Sequence, residues 1–475
     1  MMTRDLGQKR QVDGVHRGSD IGPEPPQAGR KRHAPFAVRR PGFFLVAGWL
    51  TILLAGCNTW ERAGSRGLVI NGTAPLDWPA DTTAPVAIPL PPDWPSPDAL
   101  TARITFEGRP TRTATAQCEH VPGTGVRYAW VMLDVESEAR GRPVTVELTG
   151  RFDQFFQPVC LLNYDGRALH VNDIGGQPVL AYVHGPPEAD APYPFTQYFH
   201  PIFGLDGEVL TDVYPADHRH HRGLFWAWVR HEHEGTSLGN WWIPRSIRSA
   251  PDELSFHSGP IYARFQSRHW LVHQPDDGGA EDRFLRDDVT CRIYPPTDKG
   301  RAFDIEIALR ANRPGIRLGG TTTEDKGYGG LTFRFAPAAD VRIVADGTAL
   351  DDDAIRHRAC WADWSGVFQR PDVLDSDGRT SGAAILVHPA HPDHPPQWLL
   401  RHYGILNVSF PGLEMREIPT DKPLVLRYRV WIHRGDAEAG GVQEQYLAYA
   451  ADWQWEISHG AGAAGRASRS TADGS

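Results

Sequence analysis

The segment Asp217-His218-Arg219-His220-His221-Arg222-Gly223 packs three imidazoles, a carboxylate and two guanidiniums into seven residues, and Leu224-Phe225-Trp226-Ala227-Trp228 follows at once. Buried polar groups are costly unless paired, whereas the aromatic run needs burial. The combination predicts a strand whose end lies in a pocket. Imidazole titrates near neutrality, so His218, His220 and His221 are candidate acid–base groups, with Asp217 or Asp212 to orient a ring. Arg222 is a candidate for bidentate grip on a carboxylate or on sugar oxygens. In a strand His218 and His220 would share one face, and a His-x-His pair is a common start to a metal site. The third ligand would come from Asp212, Asp217, His200 or His388. A cupin would place a glutamate three or four residues after the second histidine, where Leu224 and Phe225 stand. We therefore carry forward a hydrogen-bonded cluster with no cofactor, and keep a metal on His218 and His220 as the alternative.

Three further groups could join it. Thr323-Glu324-Asp325-Lys326-Gly327-Tyr328-Gly329-Gly330 has the composition of a solvated turn. Placed beside the histidines, Lys326 would neutralise a developing enolate or bind a carboxylate, and Tyr328 would donate a proton or stack on a ring. Cys360-Trp361-Ala362-Asp363-Trp364-Ser365-Gly366 offers Trp364. Leu386-Val387-His388-Pro389 leads to Trp398, Arg401-His402-Tyr403-Gly404 and Asn407. Aromatics beside His, Arg and Asn suit sugar pockets and equally suit a core with hydrogen-bonded tips. The candidate substrate contacts are thus His200, Asp217, Glu324, Tyr328, Trp364, His388, Arg401, His402 and Asn407, around the catalytic candidates His218, His220, His221, Arg222 and Lys326. His231-Glu232-His233-Glu234 resembles a metal site in composition, but its run into Gly235-Thr236-Ser237 predicts a solvated loop.

The elements that must hold these residues are strands. Val144, Val146 and Leu148 alternate with polar residues, as do Phe303, Ile305, Ile307 and Leu309, and Leu424, Leu426, Tyr428, Val430 and Ile432. Asp165-Gly166, Asp206-Gly207, Asp277-Gly278, Asp346-Gly347 and Asp377-Gly378 punctuate them as turns. Val442, Tyr446, Leu447 and Ala450 have helical spacing. With 475 residues, 16 Trp, 48 Gly and 40 Pro, the chain reads as mainly β. We expect a large antiparallel β-sandwich at 159–436 and a small N-terminal β domain at 98–158. A sheet with one wet face needs a second layer. The Pro-rich stretch 58–97 predicts an extended linker, residues 437–457 a C-terminal helix, and 458–475 a disordered tail.

Charge is unevenly spread. Of 49 Lys and Arg and 58 Asp and Glu, nine and four fall in residues 1–42, which leaves 40 and 54, a net −14, for the rest. A body that acidic repels phosphate backbones, which argues against nucleic-acid partners. Phe43 to Gly56 is an apolar run of fourteen residues after Arg39-Arg40, too short for a comfortable span and suited to a signal peptide. It ends Leu54-Ala55-Gly56-Cys57, which resembles a bacterial lipobox. That resemblance implies cleavage before Cys57, a lipid anchor on its thiol, and residence in the cell envelope. An exported location permits disulfides among Cys118, Cys160, Cys291 and Cys360, and free thiols are the alternative.

Taken in order, Tyr198-Phe199-His200-Pro201, Asp217 to Gly223 with Leu224-Phe225-Trp226, Glu324-Asp325-Lys326-Gly327, Trp361 to Gly366, and Trp398 through Tyr403-Gly404 resemble the PmoA-like family, a bacterial domain of unknown function labelled a methane oxygenase. The resemblance spans about residues 160–436 and carries no settled catalytic roles. Members commonly read Asp-His-Pro-His-His-Arg, where this chain has Arg219 in place of the proline. A methane oxygenase subunit would need several membrane spans, and this chain has one apolar run, so that activity is not expected. The expectation is a surface lipoprotein on a mutarotase-like supersandwich, acting on a sugar or sugar acid by His, Arg and Lys acid–base chemistry. A non-catalytic glycan-binding lipoprotein and a metal enzyme are the alternatives.

Overall fold

The computed structural model describes residues 67–92, 94, 99–121, 125–150, 156–275, 278–369 and 379–456. The expected signal peptide, Cys57 and the expected tail at 458–475 lie outside them, as do the turn residues Asp277, Asp377 and Gly378. The described residues fall in one compact unit. Among them no helix is long and apolar enough to cross a membrane.

Alternation of apolar and polar residues puts one face of each strand inward, and two nine-stranded antiparallel sheets bury those faces against each other. The front sheet runs Ala354–Arg358, Gln397–Arg401, Ile405–Ser409, Gly330–Arg334, Leu224–Ala227, Tyr198–Ile202, Pro178–Val183, Ala168–Asp173, Cys160–Tyr164. The back sheet runs Ile247–Ser258, Ala263–His273, Asp282–Ile293, Gly300–Ala311, Leu424–Arg434, Thr380–Val387, Trp361–Phe368, Ala338–Ala345, Thr348–Leu350. Rings join the layers: Tyr182 stacks on Phe265 at 4.5 Å, Phe199 meets Phe303 at 6.0 Å, and Phe335 lies flat on Trp364 at 4.5 Å. Phe303, Ile305, Ile307 and Leu309, the alternating set of one back-sheet strand, are all in this core. The expected antiparallel β-sandwich is the fold found.

A seven-stranded sheet precedes it in the order Thr83–Leu90, Arg127–Asp134, Arg112–His120, Ala99–Phe106, Pro143–Gly150, Leu68–Thr73, Gln454–Glu456, and closes over its own core. The stretch expected as a linker therefore supplies two of its strands. In Thr83–Leu90 the residues Ala84, Val86, Ile88 and Leu90 point inward, while Pro85 and Pro89 sit on an edge strand, where a missing N–H leaves no ladder bond broken. The domain boundary expected near residue 98 thus moves to about residue 68. This sheet docks on the outer face of the back sheet. Gln117 Oε1 accepts from the Ile261 and Tyr262 amides at 3.0 Å each, and Glu119 takes Arg264 at 2.9 Å and Arg292 at 2.6 Å.

The helix is Val442–Ala450, packed on that outer face. After it the chain returns to the N-terminal sheet, where Thr73 to Asn71 pair with Gln454 to Glu456. A four-stranded sheet, Thr236–Gly239, Arg230–His233, Ile316–Gly319 and Met415–Glu417, completes the body. It absorbs the segment expected as a solvated loop: His231 is buried against Phe284, and His233 accepts from Arg313. Cys160, Cys291 and Cys360 are free thiols.

Candidate functional site

Strand register decides which face of the front sheet meets solvent loops. Tyr198, Phe225, Thr332, Asn407 and Leu399 lie opposite one another across five strands. Their neighbours Phe199, Trp226 and Phe333 point into the core between the sheets. Loops cover the first row, and the histidine segment is one of them. It is a turn rather than a strand: the His221 amide donates to the His218 carbonyl at 2.9 Å, an isolated bridge joins Arg222 to Val213, and the strand itself starts at Leu224. The expectation that His218 and His220 share a strand face fails for that reason.

Gly223 ends the turn with φ 54°. A Cβ there would lie 2.0 Å from the Phe199 carbonyl oxygen, so only glycine lets the turn descend into the sheet. Its amide donates to the Asp212 carbonyl at 2.7 Å, and its carbonyl accepts from the Arg334 amide at 2.8 Å. These bonds pin the turn between two chain segments distant in sequence.

The turn stacks three rings. His218 lies parallel to Tyr403 at 5.2 Å and parallel to His221 at 4.7 Å, while His220 meets His221 edge-on at 4.6 Å. Asp217 Oδ2 holds His218 Nδ1 at 2.9 Å, and Arg334 Nη2 donates to both oxygens of Asp217 at 2.8 and 3.0 Å. Burial pulls the Asp217 carboxyl upward, but the His218 and Arg334 contacts outweigh it and the net shift is downward. Asp212, nearby, is raised by burial. Burial pushes the His220 ring down to about 4, assisted by His218 and Arg222, and pushes His221 lower still. Both are neutral imidazoles at neutral pH.

Other segments converge on this face of the sheet from both of its ends. Gly404 precedes the strand Ile405–Ser409, and just before it Arg401 pairs with Asp353 at 3.4 Å. His402 turns aside, with both ring nitrogens engaged by Asp353 and the Leu350 carbonyl at 3.1 Å. His200 sits across from Gly223 and pairs with Thr211 Oγ1 at 3.0 Å; burial lowers it to about 4. The Lys326 loop enters from the other end of Gly330–Arg334. Tyr328 packs on Trp242 at 4.8 Å, and Trp242 meets His221 edge-on at 5.9 Å. Lys326 itself pairs with Glu324 at 2.6 Å on the rim, and the Arg401 charge is felt at Glu324.

Four expected site residues are buried or lie elsewhere. Arg222 is fully buried, its guanidinium over Phe195 at 3.7 Å, Phe225 at 4.4 Å and Trp241 at 5.3 Å, and burial lowers it to about 9. Trp364 belongs to the stack with Phe335 inside the sandwich, 1% exposed. Asn407 is 0% exposed and saturated, donating to Thr332 Oγ1 at 2.8 Å and to the Gly329 and Leu331 carbonyls at 3.3 Å, so it braces the Lys326 loop from beneath. His388 lies on the outer face of the back sheet against Tyr449 of the helix. The site also holds Arg334, Trp242 and Asp353, which the sequence reading did not name, and Tyr403, which it quoted only within a motif. The alternative of a metal on His218 and His220 finds no third partner: among the described residues no set of three His, Cys, Asp or Glu side chains is placed to hold an ion.

A family model matches residues 171–447, more than half of the chain and all of these site residues. The chain belongs to DUF6807, a family of unknown function. No curated protein matches this DUF6807 chain. Among solved structures, an assigned aldose 1-epimerase from Klebsiella pneumoniae aligns at 7% identity and a TM-score of 0.20, over 78% of the DUF6807 chain and 96% of its own. So loose a superposition carries no argument, and the sandwich rests on the registers above.

Proposed function

We propose that this DUF6807 chain is an exported, lipid-anchored protein that performs acid–base chemistry on a sugar or sugar acid at the His218–His220–His221 turn. The observation that carries the reading is the parallel Tyr403–His218–His221 stack, closed by the Asp217–Arg334 pair. A neutral imidazole such as His220 can accept a proton at physiological pH. Asp217 orients His218 and stabilises the imidazolium that forms when His218 carries a proton. Lys326 and Arg334 offset negative charge that develops on the substrate. Tyr403, 45% exposed, presents an aromatic surface for the apolar side of a sugar ring. Hydrolysis, elimination and epimerisation all use this set. The apolar run before Cys57 supports export and anchoring, and the five ordered motifs support kinship with PmoA-like proteins.

The test is turnover on a panel of sugars and uronic acids. His218→Ala and His220→Ala are expected to lower kcat at least about a hundredfold with the circular dichroism spectrum kept. Unchanged turnover in both variants sinks the assignment. The exposed Tyr403 ring also favours a second reading, a glycan-binding protein without catalysis. In that case Tyr403→Ala loses binding, His220→Ala keeps it, and no panel member is turned over.

A further inference from the structure

Around the site, the buried atoms left without hydrogen-bond partners are of one polarity. They are Arg222 Nε and Nη2, Arg334 Nε and Nη1, Trp242 Nε1 and His221 Nδ1. The arginine and tryptophan nitrogens only donate, and the imidazole nitrogen donates in one of its tautomers. Arg222 lies among rings, and the hydrogen bond it makes, Nη1 to the His220 carbonyl, is 3.5 Å long. Arg334 commits only Nη2, to Asp217. The groups are neighbours: the Arg334 amide bonds Gly223, next to Arg222, and the Trp242 ring stands 5.9 Å from that of His221.

A buried cation facing no anion is expensive, and a buried donor with no acceptor signals a missing partner. A water accepts from at most two donors and brings no charge. A carboxylate accepts several coplanar N–H groups and neutralises the guanidinium as well. We infer that the site takes an anionic substrate, a sugar acid or other carboxylate-bearing polyol, whose carboxylate is received by the free donors of Arg222, Arg334, Trp242 and His221. The inference deepens the proposed function and rests on the same site. The donors are buried, and the Trp242 ring that carries one of them is packed on Tyr328 at 4.8 Å, so a carboxylate reaches that donor only when this packing opens. Tyr328 follows a turn in which Glu324 and Asp325 hold φ of 51° and 50°, the left-handed region that residues with a Cβ seldom adopt.

The experiment is calorimetric titration of the full chain, at fixed ionic strength, with glucuronate, galacturonate and gluconate, each beside its uncharged counterpart glucose, galactose or glucitol. The acids are expected to bind at least about tenfold more tightly. Trp242→Phe, which deletes one donor and keeps a ring, is expected to weaken the acids about fivefold and leave the uncharged sugars alone. Arg222→Met and Arg334→Gln should remove most of the preference; if Arg222→Met fails to fold, the other two variants decide. Equal affinity for acids and uncharged sugars, or binding by no member of the panel, overturns the inference. The two readings separate cleanly. Acid preference with full turnover in His220→Ala sinks the acid–base proposal alone. Equal processing of charged and uncharged sugars by the unaltered protein sinks this one alone.

Discussion

At the scale of residues, the site depends on imidazoles that burial keeps unprotonated. The ring of His220 has its affinity for a proton lowered to about 4. If it is the base, kcat/KM rises with pH through about 4 to 5 and is flat across neutrality, because the free enzyme loses the inhibiting proton there. A limb centred near 6.5, the value of an unperturbed imidazole, would show that another group carries the proton. The histidine turn was legible because its members are adjacent in sequence. Its partners were not: Arg334 and Tyr403 reach it only through cross-strand register, more than a hundred positions away. Trp364 and Asn407 show the converse, since the residue types that line sugar pockets also fill cores, and burial is invisible in a string of letters.

At the scale of elements, strand alternation read correctly in Pro143–Gly150, Gly300–Ala311 and Leu424–Arg434. It was outvoted where prolines are dense. Thr83–Leu90 alternates strictly, yet Pro85 and Pro89 made it read as linker, because edge position depends on strand order and strand order is not local. The short approach of the histidine turn to its neighbouring strand gives a sharp expectation. Gly223→Ala should destabilise by about 3 kcal/mol, because its methyl group meets backbone rather than a movable side chain. Urea unfolding measures it, and a midpoint equal to that of the unaltered protein would mean the turn is looser than its bonds indicate.

At the scale of the molecule, a buried ionic contact ties the N-terminal sheet to the sandwich. Glu119 is 2% exposed in its side chain and faces Arg264, Arg292 and the Tyr262 hydroxyl. Burial raises its carboxyl, the two guanidiniums lower it further, and the balance is downward. Glu119→Gln leaves two guanidiniums facing an amide and should cost about 3–5 kcal/mol. Differential scanning calorimetry should show a melting transition several degrees lower or split in two, and an unchanged trace would show the contact to be dispensable.

The strand Gln454–Glu456 lies beside Leu68–Thr73, so the first and last strands among the described residues are neighbours with Glu456 opposite Asn71. A body whose outermost described strands pair this way can be reopened elsewhere: a short peptide joining Glu456 to Leu68, with new termini cut at an exposed hairpin, would preserve the described sheets. It also means that a mechanical pull on opposite ends loads three residue pairs of one ladder first, long before the sandwich that holds the histidine turn feels any tension.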